Sequence, residues 1–391
     1  MGQKTQVYQY HRDHGNIVNY AGYDLPVWFE GIIPECKRVR SQAGIFDVSH
    51  MGRVIVEGPA AESFLNRLTT NDVSSLSIGG GHYSLFCNPQ GGIIDDLTVF
   101  RVEKSRFLVV YNAGNRYKNW NWLQTNKPSG AAISDVSNAV AMFAVQGPKA
   151  GEVLRIISGT NLGDLERYAV HEIKVQGIRC LITRSGYTGE DGFEVYVWDA
   201  PIEKPENALR VWNLILALDE LGVGPIGLGA RDVLRLEAGM CLYGNDIDEA
   251  TSPIEAKLGW AVRLEKGDFI GKEAIEKLKR SGPSRVRVGF KVLEKGIPRQ
   301  GQELLSNSEK AGNVTSGTLS PTLGLGVGMG FVRPNLASSG QQLGIRIRDR
   351  IVASEIVKLP FYQRRSGSKV AVLGEEMSYS DFVKKFGLRR L

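Results

Sequence analysis

Two adjacent aspartates, Asp95 and Asp96, lie within an apolar stretch, residues 91–100 (GGIIDDLTVF). Neighbouring residues of a β-strand point to opposite faces, so one of the two carboxylates must point into the protein. An inward carboxylate is costly unless it is paired or hydrogen-bonded. It could hydrogen-bond a ligand, or it could have a structural role such as capping a turn, and this stretch alone leaves both interpretations open.

Three further stretches carry groups that could bind a ligand. Residues 183–194 (TRSGYTGEDGFE) predict a glycine-rich turn before a strand that carries Glu194, without the GxxxxGK[ST] or GxGxxG pattern of a phosphate-binding loop. A solvated hairpin is the alternative. Residues 229–240 (GARDVLRLEAGM) predict a short helix, on which Arg231, Asp232 and Arg235 could instead form i,i+4 surface pairs. Trp260 lies in an apolar run and could equally be a core residue.

Cysteine, histidine and charge exclude several classes of function. The four cysteines have spacings that match no zinc or redox motif, and the five histidines are scattered, so we expect reduced thiols and no metal site. The net charge of +6 is mild and dispersed, and we do not expect a nucleic-acid binder. No apolar run reaches the ~20 residues of a membrane helix, and no signal core is found. We therefore expect a cytoplasmic protein, or one of an organellar matrix if a transit peptide has been removed.

The elements that would position these groups recur along the chain. Residues 53–57 (RVIVE) predict a strand, and the Gly-Pro pair after it predicts the start of a helix with proline in its first position. The same order returns at 141–145, again followed by Gly-Pro and a helix. A third helix is predicted at 205–218. Duplication would give two similar α+β domains, although a similarity this short could also be coincidence.

The pattern changes after residue 280. Short strands between turn signals are predicted at 286–292, 300–305, 314–319, 326–332 and 343–347. Such spacing is typical of a small barrel or jelly roll. The chain ends in a basic tail at 366–391, in which we predict a helix at 380–386.

Six motifs in a fixed order together resemble the glycine cleavage T-protein family. They are FDVSHMG (46–52), YSLF (83–86), GIIDDL (92–97), RSGYTGEDGFE (184–194), RDVLRLEAGMCLYG (231–244) and TSGTLSPTLG (315–324). The resemblance runs from about residue 8 to residue 364, nearly the whole chain. It is looser at 10–26, and the tail after residue 365 is longer than is usual in the family.

The resemblance implies an α+β fold of three domains arranged as a cloverleaf, with tetrahydrofolate in the central channel. Two α+β domains would be built on antiparallel sheets, the first from residues 1–52 plus 138–255 and the second from residues 53–137. Residues 256–365 would form a C-terminal β-barrel or jelly-roll domain, and residues 366–391 the basic tail.

The resemblance also implies an aminomethyltransferase that needs neither a metal nor an enzyme nucleophile. The enzyme would move the aminomethyl carbon from the dihydrolipoyl arm of a carrier, the lipoylated H-protein, to tetrahydrofolate. Ammonia and 5,10-methylenetetrahydrofolate would be the products. Asp96 matches the family's central aspartate, which would hydrogen-bond the folate N5/N10 region and stabilise positive charge there. Asp95 would face away and be structural.

Seven other positions match folate contacts of the family. Glu194 would anchor the pterin, because one carboxylate can accept hydrogen bonds from both its 2-amino group and N3–H. Aromatic residues would supply stacking area and Met51 an apolar wall. The seven are Met51, Tyr83, Tyr187, Glu194, Arg231, Trp260 and Arg364.

Two alternatives share this fold. A folate-binding protein of iron–sulfur cluster maintenance would carry KGCYxGQE where this chain has KGDFIGKE (266–273), and the missing cysteine argues against it. A folate-dependent demethylase of a sulfonium or methylated amine substrate remains open.

Overall fold

The computed structural model describes residues 2–364, so the predicted tail at 366–391 lies outside the described residues. In this part of the chain the α-helices are Tyr8–His14 (α1), Ile32–Ser41 (α2), Ala61–Leu68 (α3), Arg116–Asn126 (α4), Ala150–Ser158 (α5), Glu206–Leu216 (α6), Leu228–Glu237 (α7) and Lys272–Ser281 (α8). The strands are Asn16–Tyr20 (β1), Tyr23–Trp28 (β2), Ala43–Asp47 (β3), Gly52–Glu57 (β4), Gly81–Cys87 (β5), Ile93–Glu103 (β6), Arg106–Tyr111 (β7), Ala132–Asp135 (β8), Ala141–Gln146 (β9), Val170–Val175 (β10), Ile178–Thr183 (β11), Gly192–Val197 (β12), Val223–Pro225 (β13), Val286–Val292 (β14), Glu303–Ser306 (β15), Glu309–Ser320 (β16), Leu325–Val332 (β17), Gln342–Ile347 (β18) and Arg350–Val357 (β19).

The first sheet has six strands in the order β10-β11-β12-β9-β3-β13. All neighbours are antiparallel except β13, which runs parallel to β3. The central strand β9 is buried on both faces. Alternate residues of β9 face two different apolar cores. Phe143 packs with Trp212 of α6 on one face, and Met142 packs with Val233 of α7 on the other.

The second sheet has five antiparallel strands in the order β5-β6-β7-β4-β8. Helices α3 and α4 cover one face, where Phe64 and Leu123 pack on Val109. On the other face, Phe100 and Leu108 join the same core as Met142 of the first sheet. The two sheets therefore share one apolar core, and residues close to it can be contributed by both.

The two Gly-Pro units of the sequence are the connections β4–α3 and β9–α5. Gly58 and Gly147 have φ values of +110° and +128°, a region that favours glycine. The prediction that proline occupies the first helical position is wrong, because each proline lies in a turn two residues before the helix begins at Ala61 or Ala150.

The C-terminal part is a closed barrel in the order β14-β17-β16-β15-β18-β19, which confirms the predicted barrel. Phe290, Val314 and Ile345 fill its interior. The barrel is joined to α7 by Leu236, which packs against Met329. The strand β19 was not predicted from the sequence, although it closes the barrel between β18 and β14.

The segment between the sheets and the barrel packs on the second sheet. One apolar cluster contains Leu85 and Ile93 of the second sheet together with Leu258, Phe269 and, from α8, Ile275. The first barrel strand begins only at Val286. We therefore propose that the barrel domain begins near residue 285 rather than 256, and we retain 1–52 plus 138–255 and 53–137 as the proposed α+β domains. No helix of residues 2–364 is long and apolar enough to cross a membrane.

Candidate functional site

Asp95 and Asp96 lie near the start of β6 and differ in exposure. Asp95 is fully buried, whereas Asp96 is partly exposed. The Asp95 carboxylate accepts hydrogen bonds from the side chains of Asn112, Asn115 and Asn119 and from the Asn112 backbone N–H. These four donors offset the cost of burying the carboxylate.

Asp96 is held from two sides. Tyr83 Oη donates to Oδ2 at 3.1 Å, and Asn112 Nδ2 donates to Oδ1 at 2.7 Å. Burial raises the pKa of Asp96, while these two hydrogen bonds and the charge of Arg231 oppose the rise. Burial and the neighbouring Asp96 raise the pKa of Asp95 to about 7. The pKa of Tyr83 is also raised by burial and by Asp96, so its hydroxyl stays protonated and donates.

Trp260 covers Tyr83 at the surface. The two rings stack with centroids 5.2 Å apart and an angle of 26° between planes, and Trp260 is 56% exposed. Trp260 is therefore not a core residue. It forms a row with Tyr83 and Asp96 that leads from the surface to the carboxylate.

Glu194 on β12 faces a second group of residues. Its Oε2 accepts from Ser185 Oγ at 2.5 Å and from Tyr196 Oη at 3.4 Å. Burial raises its pKa, opposed first by the Ser185 hydrogen bond and then by the charge of Arg231. Glu194 lines a narrow cavity together with Met51, Tyr187 and Arg231.

Arg231 on α7 connects the two groups electrostatically. Its guanidinium lies over the Tyr187 ring at 4.9 Å, and no carboxylate of residues 2–364 pairs with it. The Tyr187 hydroxyl donates to the Cys241 carbonyl, which fixes the ring. Arg231 forms no surface pair of the kind considered for this helix within residues 2–364. Arg235 contacts Asp232 at 2.7 Å, but its side chain is buried and also contacts the buried Asp246 at 2.7 Å.

Arg364 lies apart from the other predicted residues. It is 44% exposed and contacts Asp191 at 3.1 Å, in a recess that also contains Arg167 and Arg184. The recess shares Ser185 with the Glu194 group, since Ser185 lines the recess and donates to Glu194.

Three polar residues near these groups were not singled out from the sequence. Asn112 bonds both aspartates, and Ser185 bonds Glu194. His50 is fully buried, and neither ring nitrogen has a hydrogen-bond partner within residues 2–364; burial and the charge of Arg231 lower its pKa to about 3. Helical spacing would not have found the three asparagines as a group, because Asn112 and Asn115 precede α4 and only Asn119 lies on it.

Other candidate sites are less complete. No group of three or more histidine, cysteine or acidic side chains that could hold a metal ion occurs in residues 2–364. A large basic recess on the barrel, lined by Lys295, Arg299, Arg348 and Arg350 among others, contains none of the predicted site residues.

The chain is similar to known proteins over most of its length. The sequence-family model of the GCVT N-terminal domain matches residues 7–266. The family model of the glycine cleavage T-protein C-terminal barrel domain matches residues 285–363. An aminomethyltransferase of Halothermothrix orenii is 44% identical over 361 residues, covering 92% of this chain and 99% of the relative. One of Desulforamulus reducens is 42% identical over 364 residues, covering 93% and 98%. The solved structure of the glycine cleavage system aminomethyltransferase T from Bartonella henselae has a TM-score of 0.86 at 35% identity, covering 93% of this chain and 99% of that one.

Proposed function

The chain belongs to the glycine cleavage T-protein family of aminomethyltransferases, and we propose from this that it transfers the aminomethyl carbon of a lipoyl carrier, the H-protein, to tetrahydrofolate. In the reaction the carbon loses its bonds to the lipoyl sulfur and to the amino nitrogen and gains bonds to folate N5 and N10. The two protons of N5–H and N10–H end on the sulfur and on ammonia. The products are therefore the dihydrolipoyl carrier, ammonia and 5,10-methylenetetrahydrofolate.

The observation that carries the proposal is the way Asp96 is held. One oxygen accepts from Tyr83 and the other from Asn112, under a stacked Trp260 that is open to solvent. A carboxylate fixed in this way costs little reorganisation when a neighbouring nitrogen becomes positive. In the proposed reaction Asp96 orients the attacking folate nitrogen and stabilises its charge, and it forms no bond to carbon.

The Glu194 group fits the pterin of tetrahydrofolate. Among residues 2–364, the hydrogen bonds of Glu194 all use Oε2, which leaves Oε1 for the pterin amino group and N3–H. Met51 and Tyr187 supply apolar and aromatic walls to the same cavity. We propose that Arg231 and Arg364 contact the folate as well, as their cationic groups suit an acidic ligand.

An assay of both products tests the proposal. Purified protein is mixed with aminomethyl-loaded H-protein and tetrahydrofolate, and ammonia and 5,10-methylenetetrahydrofolate are measured. Stoichiometric formation of both supports the proposed reaction. Methyl transfer to folate from a sulfonium or methylated amine, with no product from the loaded carrier, would instead establish the demethylase.

A further inference from the structure

The side-chain amide of Asn112 contacts both carboxylates of the aspartate pair. Its Nδ2 donates to Asp95 Oδ1 at 2.8 Å and to Asp96 Oδ1 at 2.7 Å. The strand register accounts for both contacts. Leu97 pairs with Tyr111 in antiparallel strands, so Asn112, the residue after Tyr111, lies beside Asp96. An amide nitrogen has two hydrogens, so one amide can serve two acceptors at once.

Asp95 fixes that amide in place. The Asp95 carboxylate accepts hydrogen bonds from the Asn112 backbone N–H at 3.1 Å and from the Asn112 side-chain Nδ2. Asn115 and Asn119 bond the same carboxylate and hold it from the helix side. Asn112 is thus bound at its backbone and its side chain by a fully buried group, and its second amide hydrogen points to Asp96.

We propose that Asn112 is a positioning residue for Asp96, and that the buried Asp95 acts on the reacting carboxylate through this amide. The proposal rests on the role assigned to Asp96 in the proposed function. It gives Asp95 a task beyond holding the turn, since Asp95 holds the amide that donates to Asp96.

The directions follow from elementary electrostatics. Loss of the Asn112 amide removes a donor from ionised Asp96, so the pKa of Asp96 should rise. Asp95, whose pKa is raised to about 7, is uncharged where Asp96 titrates, so Asp95→Asn removes no charge there. It changes the group that holds the Asn112 amide, so the pKa of Asp96 should rise, but by less than in Asn112→Ala. The other titratable or charged groups that act on Asp96 from the surrounding elements are Tyr83, Tyr168, Tyr187, Arg231, Cys241 and Tyr243. All of these are unchanged in the variants.

The test compares Asn112→Ala and Asp95→Asn with a matched control. Asn115→Ala removes a hydrogen bond of 2.7 Å to the same Asp95 oxygen without touching Asp96, and the Asn115 side chain does not cap the helix. The carboxyl carbons of aspartate are labelled with ¹³C in the full chain, Asp96 is assigned with Asp96→Asn, and its titration is followed by NMR. Asn112→Ser, which keeps a short donor, is measured as well in case the alanine variant does not fold.

The expected midpoint for Asp96 rises by roughly one pH unit in Asn112→Ala and rises less in Asp95→Asn. It should shift less in Asn112→Ser and stay within about 0.3 unit of wild type in Asn115→Ala. Loss of a hydrogen bond to a charged group should also lower kcat roughly tenfold in Asn112→Ala, with tetrahydrofolate affinity changed less than about threefold.

Two results would overturn the inference. One is an Asp96 midpoint that does not move in either Asn112 variant, and the other is an equal shift in Asn115→Ala. Because the titration needs no turnover, an inactive wild-type protein would count against the proposed reaction and not against this proposal.

Discussion

At the scale of single residues, the site combines buried and partly buried acids with a cation, Arg231, that has no ion-pair partner within residues 2–364. Glu194 and Arg231 line the same cavity, and neither is neutralised by an ion pair within residues 2–364. Such groups are costly in a folded protein unless a ligand uses them. The residue types were accessible from the sequence motifs, whereas Asn112 and Ser185 were not, because their importance depends on which carboxylates the fold brings beside them.

The change Glu194→Gln should weaken tetrahydrofolate binding. A glutamine keeps the shape but lacks the negative charge that strengthens the hydrogen bonds from the pterin, so we expect a dissociation constant higher by roughly tenfold to hundredfold. Calorimetric titration at pH 7 measures it. Glu172→Gln, on the exposed strand β10, is the control and should bind as wild type does. Unchanged affinity in Glu194→Gln would remove Glu194 from the folate site.

The raised pKa of Asp95 predicts a pH dependence of stability. An acid whose pKa rises from its ordinary value to about 7 on folding stabilises the folded state below pH ~4, and this contribution is lost as the pH rises towards 7. The free energy of unfolding should therefore decrease less between pH 5 and pH 8 in Asp95→Asn than in the wild-type protein. Urea unfolding at these pH values is the measurement, and identical slopes in the two proteins would contradict the assigned pKa direction.

At the scale of elements, the alternation of apolar and polar residues predicted strands well, whereas the turn signals located the starts of helices less well. The barrel strand β14 begins and ends where the sequence predicted. The helices α1, α2, α4 and α8 and the strand β19 were among the elements missed. The Gly-Pro signal located two helices but misplaced their first residues, since the glycine conformation and not the proline determines where the chain turns.

The change Gly147→Ala should destabilise the protein. Gly147 has φ +128°, and a Cβ there would lie against the Gln42 carbonyl oxygen. We expect a loss of about 2–4 kcal/mol in the free energy of unfolding, from both strain and the close contact. Gly159→Ala is the matched control at the end of α5, where φ is +70° and the space is open, and it should cost only about 1 kcal/mol. Equal losses in denaturant unfolding would show that backbone conformation alone is responsible.

At the scale of the whole molecule, buried charges join the barrel to the sheets. Glu237 at the end of α7 is fully buried and accepts from Arg40 at 2.6 Å, from Ser320 at 2.5 Å and from Thr322 at 2.9 Å. The overall order of domains followed from the family resemblance. These contacts could not be predicted, because they join residues that are 83 or more positions apart in the chain.

Breaking this junction should uncouple the barrel. Glu237→Ala leaves Arg40 without one of its two carboxylate partners in a buried setting, so we expect a loss of about 3–5 kcal/mol. Scanning calorimetry should then show a second transition as the barrel and the sheets unfold separately. The control Arg179→Ala removes an exposed pair with Glu172 and should change stability by less than about 1 kcal/mol. A single, unshifted transition in Glu237→Ala would contradict the role given to the junction.

The most direct test of the account is the effect of Asp96→Asn on turnover and on folate binding. The substitution keeps the shape of the side chain and removes the fixed charge beside the reacting nitrogen. The account predicts that kcat for ammonia and 5,10-methylenetetrahydrofolate formation from aminomethyl-loaded H-protein falls by about 100-fold or more, while the dissociation constant for tetrahydrofolate changes less than about threefold. Turnover like that of the wild type would contradict it.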